Sequence, residues 1–222
     1  MSIETMEFGP LVVGFTDGVL RPRPWTVLQA SWAAELSAGL PPGRILELCA
    51  GAGHIGQAAS SLTGRALVQV DVDPHACGVA RRNAGRNGLA ARVDVRCGDL
   101  EVAVGGDDRF AMVLADPPYL PRDEVGDFPE DPVGAIDGGA DGLDLLRRCL
   151  VVAGAHVADG GAVLLQTRGR DQVHGLLADL DAAGLRLVDV RAHDGRRAVA
   201  LLRPLVRRAP DAADRARSAD ED

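Results

Sequence analysis

The segment Asp116-Pro117-Pro118-Tyr119 joins an acid, two prolines and the only tyrosine of the chain. Proline has no backbone N–H and stiffens the chain into an extended form, so this turn offers hydrogen-bond acceptors: the Asp116 carboxylate and the Pro117 carbonyl. Such a pair can hold both protons of an NH2 group while the nitrogen lone pair faces an electrophile. Tyr119 supplies a flat ring for stacking on a planar amide or base. The ring face also stabilises positive charge that builds up on an attacking nitrogen. An ordinary loop would rarely collect these residue types in four positions.

A second group starts at Glu47-Leu48-Cys49-Ala50-Gly51-Ala52-Gly53-His54-Ile55-Gly56. Glycines let a backbone approach a ligand closely, and the helix that opens here supplies free N–H groups. Gly51-x-Gly53-x-x-Gly56 also matches the dinucleotide fingerprint, although a chain with 27 glycines can produce such a match by chance. Asp71 lies 18 residues beyond Gly53, at the end of the next strand-like run. A carboxylate there can accept both hydroxyls of a ribose. Asp73 is better suited to capping the helix that Pro74 begins. Asp99, in Gly98-Asp99-Leu100, can accept from an adenine amino group or serve as a plain strand-end turn residue. The five histidines show no metal-ligand spacing, and no metal is expected. His54 alone stands at the glycine loop.

These residues need a scaffold that brings several strand ends together. Short apolar runs recur at 44–49, 66–72, 92–96, 110–115, 162–166, 185–190 and 198–202, bounded by Gly, Asp or Pro. Helix-compatible stretches lie at 27–40, 54–61, 74–87, 143–157 and 171–183. Strands alternating with helices imply an α/β fold with a largely parallel sheet covered on both faces. The last two strands are separated by only about seven residues, too few for a helical crossover, and should form an antiparallel hairpin at one edge. Residues 1–43 read as a proline-punctuated entry segment with a helix, 44–204 as the catalytic domain and 205–222 as a disordered tail.

Composition narrows the function. The chain has 222 residues, a formal charge of −8, 24 basic residues that are all arginine, and 46% hydrophobic residues. That suits one domain with a substantial core. No charge-free apolar span of membrane length is present, and the opening residues carry no basic-then-apolar leader, so a cytoplasmic location is expected. The four cysteines form no C-x-x-C pair and read as reduced thiols. Between Arg122 and Asp144 stand eight acids and one arginine. An acidic lip there would repel phosphates, which disfavours nucleic acid as partner.

Taken together, these motifs resemble the class I S-adenosylmethionine-dependent methyltransferases. More closely, the chain resembles the HemK/PrmC type, which methylates a glutamine side-chain amide in release factors. The resemblance spans 19–204. Arg21-Pro22-Arg23-Pro24-Trp25-Thr26 resembles the family's entry segment, Asp116–Tyr119 its N/D-P-P-Y turn, and Asp137-Gly138-Gly139-Ala140-Asp141-Gly142-Leu143 a helix-capping segment. It implies a doubly wound, Rossmann-like seven-stranded sheet with an antiparallel last strand. It also implies S-adenosyl-L-methionine as cofactor and S-adenosyl-L-homocysteine as product. The cofactor residues would be Thr26, Glu47, Cys49, Ala50, Gly51, Gly53, Asp71, Val72, Asp99, Leu100 and Asp116, and the catalytic ones Asp116, Pro117 and Tyr119.

Two positions depart from the family. Cys49 replaces the first loop glycine and would be tolerated in ordinary β backbone; Asp116 stands where glutamine methylators usually carry Asn. With about 43 residues before the first strand, the chain looks like the family's form that relies on a partner subunit; a homodimer is the other option. The acceptor is expected to be a protein glutamine or a small molecule. A nucleic-acid amino methyltransferase and, more remotely, an NAD-dependent oxidoreductase are the competing readings.

Overall fold

Runs of Val, Leu and Ile that are buried on both faces build the middle of the sheet, as parallel interior strands require. The structure is a computed structural model that describes residues 3–205; the tail expected from 205 lies outside this range apart from its first residue. The elements in order are β1 (Glu4–Phe8), β2 (Leu11–Phe15), α1 (Val27–Ser37), β3 (Arg44–Leu48), α2 (His54–Thr63), β4 (Leu67–Asp71), α3 (Pro74–Arg86) and β5 (Val93–Cys97). Then come α4 (Leu100–Ala103), β6 (Phe110–Ala115), α5 (Asp144–His156), β7 (Val157–Thr167), α6 (Arg170–Gly175), α7 (Leu177–Ala182), β8 (Leu185–Asp194) and β9 (Arg197–Pro204).

The main sheet has seven strands in the order β5-β4-β3-β6-β7-β9-β8. β3, β4, β5, β6 and β7 pair in parallel, and β9 runs antiparallel to both β7 and β8. The terminal hairpin is therefore present, but the final strand sits second from the edge. Its residues Ala198–Leu202 are all buried, whereas β8 is largely exposed and forms the edge. The 171–183 stretch divides into α6 and α7, the break falling at Leu176.

Strand order determines where a site can form. The chain leaves β3 toward β4 and β5, then returns to β6 on the other side of β3. At such a switch point the carboxyl-end loops of two neighbouring strands diverge and leave a crevice. Leu48 is in register with Ala115, so the loop starting at Cys49 and the turn starting at Asp116 begin side by side. Gln29 of α1, fully buried, secures this end of the sheet. Its Nε2 donates to the carbonyls of Ala115, at 3.1 Å, and Leu164, at 2.8 Å.

The entry segment holds a hairpin that its sequence did not disclose. β1 and β2 turn at Gly9-Pro10, with Gly9 at φ 53°. Phe8, Leu11 and Val13 point into the core against α2 and α3. The free edge of β2 is satisfied by α3. Asn83 and Asn87 each accept from a β2 N–H and donate to the same residue's carbonyl, at Gly14 and Val12 respectively, over 2.8–3.0 Å. Four helical residues rise about 6 Å and two strand residues about 6.7 Å, so the side chains imitate a neighbouring strand.

Candidate active site

The loop after β3 is shaped by two carboxylates. Glu47 is buried inside the fold, where its Oε1 accepts from the Gly56 N–H at 2.9 Å and its Oε2 from Gln69 Nε2. Burial, opposed by these bonds, pushes its carboxyl up to about 7. A Cβ at position 56 would lie 2.4 Å from Glu47 Oε2, so Gly56 is glycine to admit that carboxylate. The third glycine of the apparent dinucleotide fingerprint thus serves close helix–strand packing, a role it has whichever ligand the loop takes. Asp71 shapes the loop from the other side. Its Oδ2 accepts from Gly51 N–H at 2.7 Å and its Oδ1 from Asp73 N–H at 2.9 Å. A carboxylate has about four acceptor positions, so two remain for a ligand.

Cys49 corrects an expectation. Its φ is 57°, left-handed rather than β, and it is the only non-glycine residue with positive φ among those described. This conformation costs a side-chain-bearing residue roughly 1–2 kcal/mol. The thiol meets Cys149 of α5, with the sulfurs 3.9 Å apart. Gly51, at φ 52°, has open space where a Cβ would stand. Gly53, at φ 78°, is enclosed, and a Cβ there would approach Gln57 Nε2 to 2.7 Å.

A cavity of about 460 Å³ opens over this loop, within the usual range of small-molecule sites. Cys49, Ala50, Gly51, Asp71, Val72, Asp99, Leu100 and Asp116 line it. Asp116, half-buried, is part of its wall. Burial alone pushes its carboxyl up to about 7, and no described residue donates a hydrogen bond to it. Val72 is 71% exposed and, with Leu100, offers an apolar slot beside Asp71.

Five predicted residues sit behind the wall. Glu47 and Gly53 shape the loop from beneath. Thr26 is buried; its hydroxyl donates to the Arg23 carbonyl at 2.8 Å and lies 3.3 Å from His54 Nε2. Pro117 is buried, and Tyr119 is half-buried against the α5 side of the core rather than facing the cavity. Its phenol is pushed upward by burial and by Asp116, against the pull of Arg197, Arg23 and Arg168. The Tyr119 carbonyl and the Gly142 carbonyl both accept from Gln172 Nε2, at 3.0 and 3.2 Å, which fixes the exit of the turn.

Two further residues complete this part of the wall, His54, which the sequence placed at the glycine loop, and Arg148, which it did not single out. His54 lines the cavity, packs edge-on against Phe8 at 4.7 Å, and is held down to about 3 by burial, hence neutral. Arg148 of α5 grips both oxygens of Asp99 at 2.7–2.8 Å, while Asp99 also caps α4 through the Glu101 N–H at 3.0 Å. The adenine-side acid is thus committed to an arginine 49 positions away.

The acidic stretch after the turn does reach the cavity, at Pro132, Gly134 and Ala135. Its charge is cancelled in part. Glu124 pairs with Arg168, Asp131 with Arg23, Asp137 with Arg122, and Asp141 and Asp144 with Arg147. With eight acids against four arginines, the lip keeps a net negative charge, and its repulsion of phosphate is reduced but not removed.

Residues 33–127 match the family model described as methyltransferase small domain. The chain is 38% identical over 136 residues to the ribosomal protein uL3 glutamine methyltransferase of Bradyrhizobium diazoefficiens, covering 59% of this chain and 42% of that protein. It is 36% identical over 197 residues to the release factor glutamine methyltransferase of Burkholderia pseudomallei, covering 84% and 68%. The chain thus spans between about two-fifths and two-thirds of the length of such curated relatives. The ribosomal protein L11 methylase of Lactobacillus delbrueckii shares the fold at a TM-score of 0.64 and 16% identity, over 85% of this chain and 82% of that one. With the glycine loop and the Asp-Pro-Pro-Tyr turn side by side at the switch point, these matches show that the chain belongs to the HemK/PrmC family of glutamine methyltransferases.

Proposed function

We propose that this protein transfers a methyl group from S-adenosyl-L-methionine to the side-chain amide nitrogen of a protein glutamine. The observation that carries the reading is Asp116: a half-buried carboxyl on the cavity wall, without a donor among the described residues, followed by two residues that have no N–H.

The cavity fits the cofactor by the chemistry of its donors. Asp71 keeps two acceptor positions for ribose hydroxyls, the open backbone at Gly51 admits close approach, and Val72 and Leu100 flank an apolar slot for a base. When bound, S-adenosyl-L-methionine supplies an electrophilic methyl group and leaves as S-adenosyl-L-homocysteine. The protein's part is to hold and orient. Asp116 and the Pro117 carbonyl position the NH2 group, Gln172 keeps the turn in place, and Gln29 anchors the strand end before it. Positioning and electrostatics then supply the rate enhancement, without a covalent intermediate or a metal.

The relatives' names place their acceptors in the translation apparatus, on a release factor or ribosomal protein uL3. We read this chain as acting on an acceptor of that kind in the cytoplasm, with a partner subunit supplying acceptor recognition. The test is incubation with methyl-labelled cofactor and a fractionated extract. Label in protein that hydrolyses to N5-methylglutamine supports the reading; label confined to RNA or to small molecules overturns it.

A further inference from the structure

No C-x-x-C spacing links the cysteines in the sequence, yet the fold brings two of them together at the cavity. Cys49 stands on the loop after β3 and lines the cavity. Cys149 lies in the middle of α5 and is 1% exposed. The two are 100 positions apart in the chain, and their sulfurs face each other at 3.9 Å. Both thiols are free. The backbone singles out the same place. Cys49 holds a left-handed conformation in a loop whose other such positions are Gly51 and Gly53. Strain of this kind persists only where the surroundings impose it, and it collects at functional positions.

The two partners differ in access. Cys149 belongs to the packed core with Leu146 and Leu150 of the same helix. Cys49 is half-buried and open to the cavity, so a small oxidant reaches it when the cavity is empty. The contact with Cys149, burial, and the fields of Asp71 and Asp116 all keep the proton on Cys49, which slows its reaction with mild oxidants. A disulfide needs its sulfurs about 2 Å closer than these two stand. Cys149 is held within a packed helix, so the loop has to yield. That loop carries Gly51, whose N–H is bonded to Asp71 at 2.7 Å. A shift of α5 instead would move Arg148, the neighbour of Cys149, and with it Asp99. Either movement alters the wall of the cavity.

We propose that Cys49 and Cys149 are a modification site, closed to a reversible disulfide by hydrogen peroxide, and that the bond lowers the affinity of the cavity for S-adenosyl-L-methionine. The second half rests on the cofactor reading above. The Cys49 sulfur attacks one peroxide oxygen, the O–O bond breaks, and Cys49 becomes a sulfenic acid as one water leaves. The Cys149 sulfur then attacks the Cys49 sulfur and displaces the sulfenic oxygen as a second water. The two thiol protons leave in these waters; peroxide is reduced and the sulfur pair gives up two electrons. A thiol reductant reverses the bond by exchange. A ligand in the cavity stands between solvent and Cys49, so the bond forms in the empty protein.

The test uses the full chain with Cys97→Ser, which removes the exposed thiol that could join two molecules. The remaining cysteines fall in separate tryptic peptides, 45–65, 66–81 and 149–168. After hydrogen peroxide, mass spectrometry should find 45–65 joined to 149–168, and dithiothreitol should part them. Calorimetry should show S-adenosyl-L-methionine binding at least about 10-fold weaker after oxidation, the loss tracking the joined fraction and reversed by dithiothreitol. Saturating S-adenosyl-L-homocysteine should slow the joining at least about 10-fold. Peptides that stay separate overturn the modification site. Joined peptides with unchanged affinity overturn its control of the cavity, and joining that ignores the ligand overturns the route through it. A reduced protein that does not bind S-adenosyl-L-methionine overturns the cofactor reading and the control of affinity with it, while the peptides alone still decide the disulfide.

Discussion

Two carboxyls stand at the carboxyl ends of adjacent strands, the buried Glu47 in β3 and the half-buried Asp116 just after β6. Burial drives both up to about 7. Glu47 is surrounded by donors: the Gly56 N–H and Gln69 Nε2, with Gly56 lacking a side chain so that the contact can form. Asp116 has none and faces the cavity. Equal titration behaviour therefore conceals opposite roles. A carboxyl whose bonds are completed within the protein holds a loop in shape; one whose bonds are left open is waiting for a ligand.

Substitutions separate the two roles. Asp116→Ala should lower kcat/KM at least about 100-fold while cofactor affinity, measured by calorimetry, moves by less than about 3-fold. Equal loss of both would erase the distinction. Glu47→Ala should do the reverse. It strips two buried donors of their acceptor and should cost about 2–4 kcal/mol in denaturant unfolding, with weakened cofactor binding as the loop relaxes. A fully stable Glu47→Ala protein would make Glu47 a ligand residue after all.

A third test uses pH. The folded value of Asp116, about 7, lies above its ordinary 3.8, so the folded state keeps this proton longer than the unfolded chain as pH rises. Its contribution to stability is therefore greatest at low pH and declines up to pH 7. Asp116→Asn removes that dependence, and its stability relative to wild type should grow by about 1–3 kcal/mol between pH 5 and pH 8. Thermal melts at the two pH values check the sign. The smallest effect is expected at the neighbouring loop position: Cys49→Gly relieves a left-handed backbone and should raise stability by about 1 kcal/mol. No gain there would show that the contact with Cys149 offsets the strain.

Much of this architecture was legible in the sequence. Period and punctuation located all seven strands of the main sheet, because interior strands must be apolar throughout and bounded by turn residues. The capping role of Asp73 was also readable, and its Oδ1 accepts the His75 N–H at 2.8 Å. The β1–β2 hairpin was not, since its edge is completed by Asn83 and Asn87, some 70 residues away. Nor was the length of β7, which begins at Val157 without a break after α5.

The same division holds at the site. Residue type and spacing alone singled out the Asp-Pro-Pro-Tyr turn, the glycine loop and Asp71, because their chemistry is local: a missing N–H, an absent Cβ, an acid at a strand end. What depends on distant partners could only be decided by the fold. The tertiary structure paired five acids of the lip with arginines, committed Asp99 to Arg148, turned Tyr119 away from the cavity and bent Cys49 into a left-handed conformation. It also distinguished Glu47 from Asp116. Both are acids at a strand end in the sequence, and only the donors brought to one and withheld from the other separate a carboxyl satisfied within the protein from one left open to the cavity.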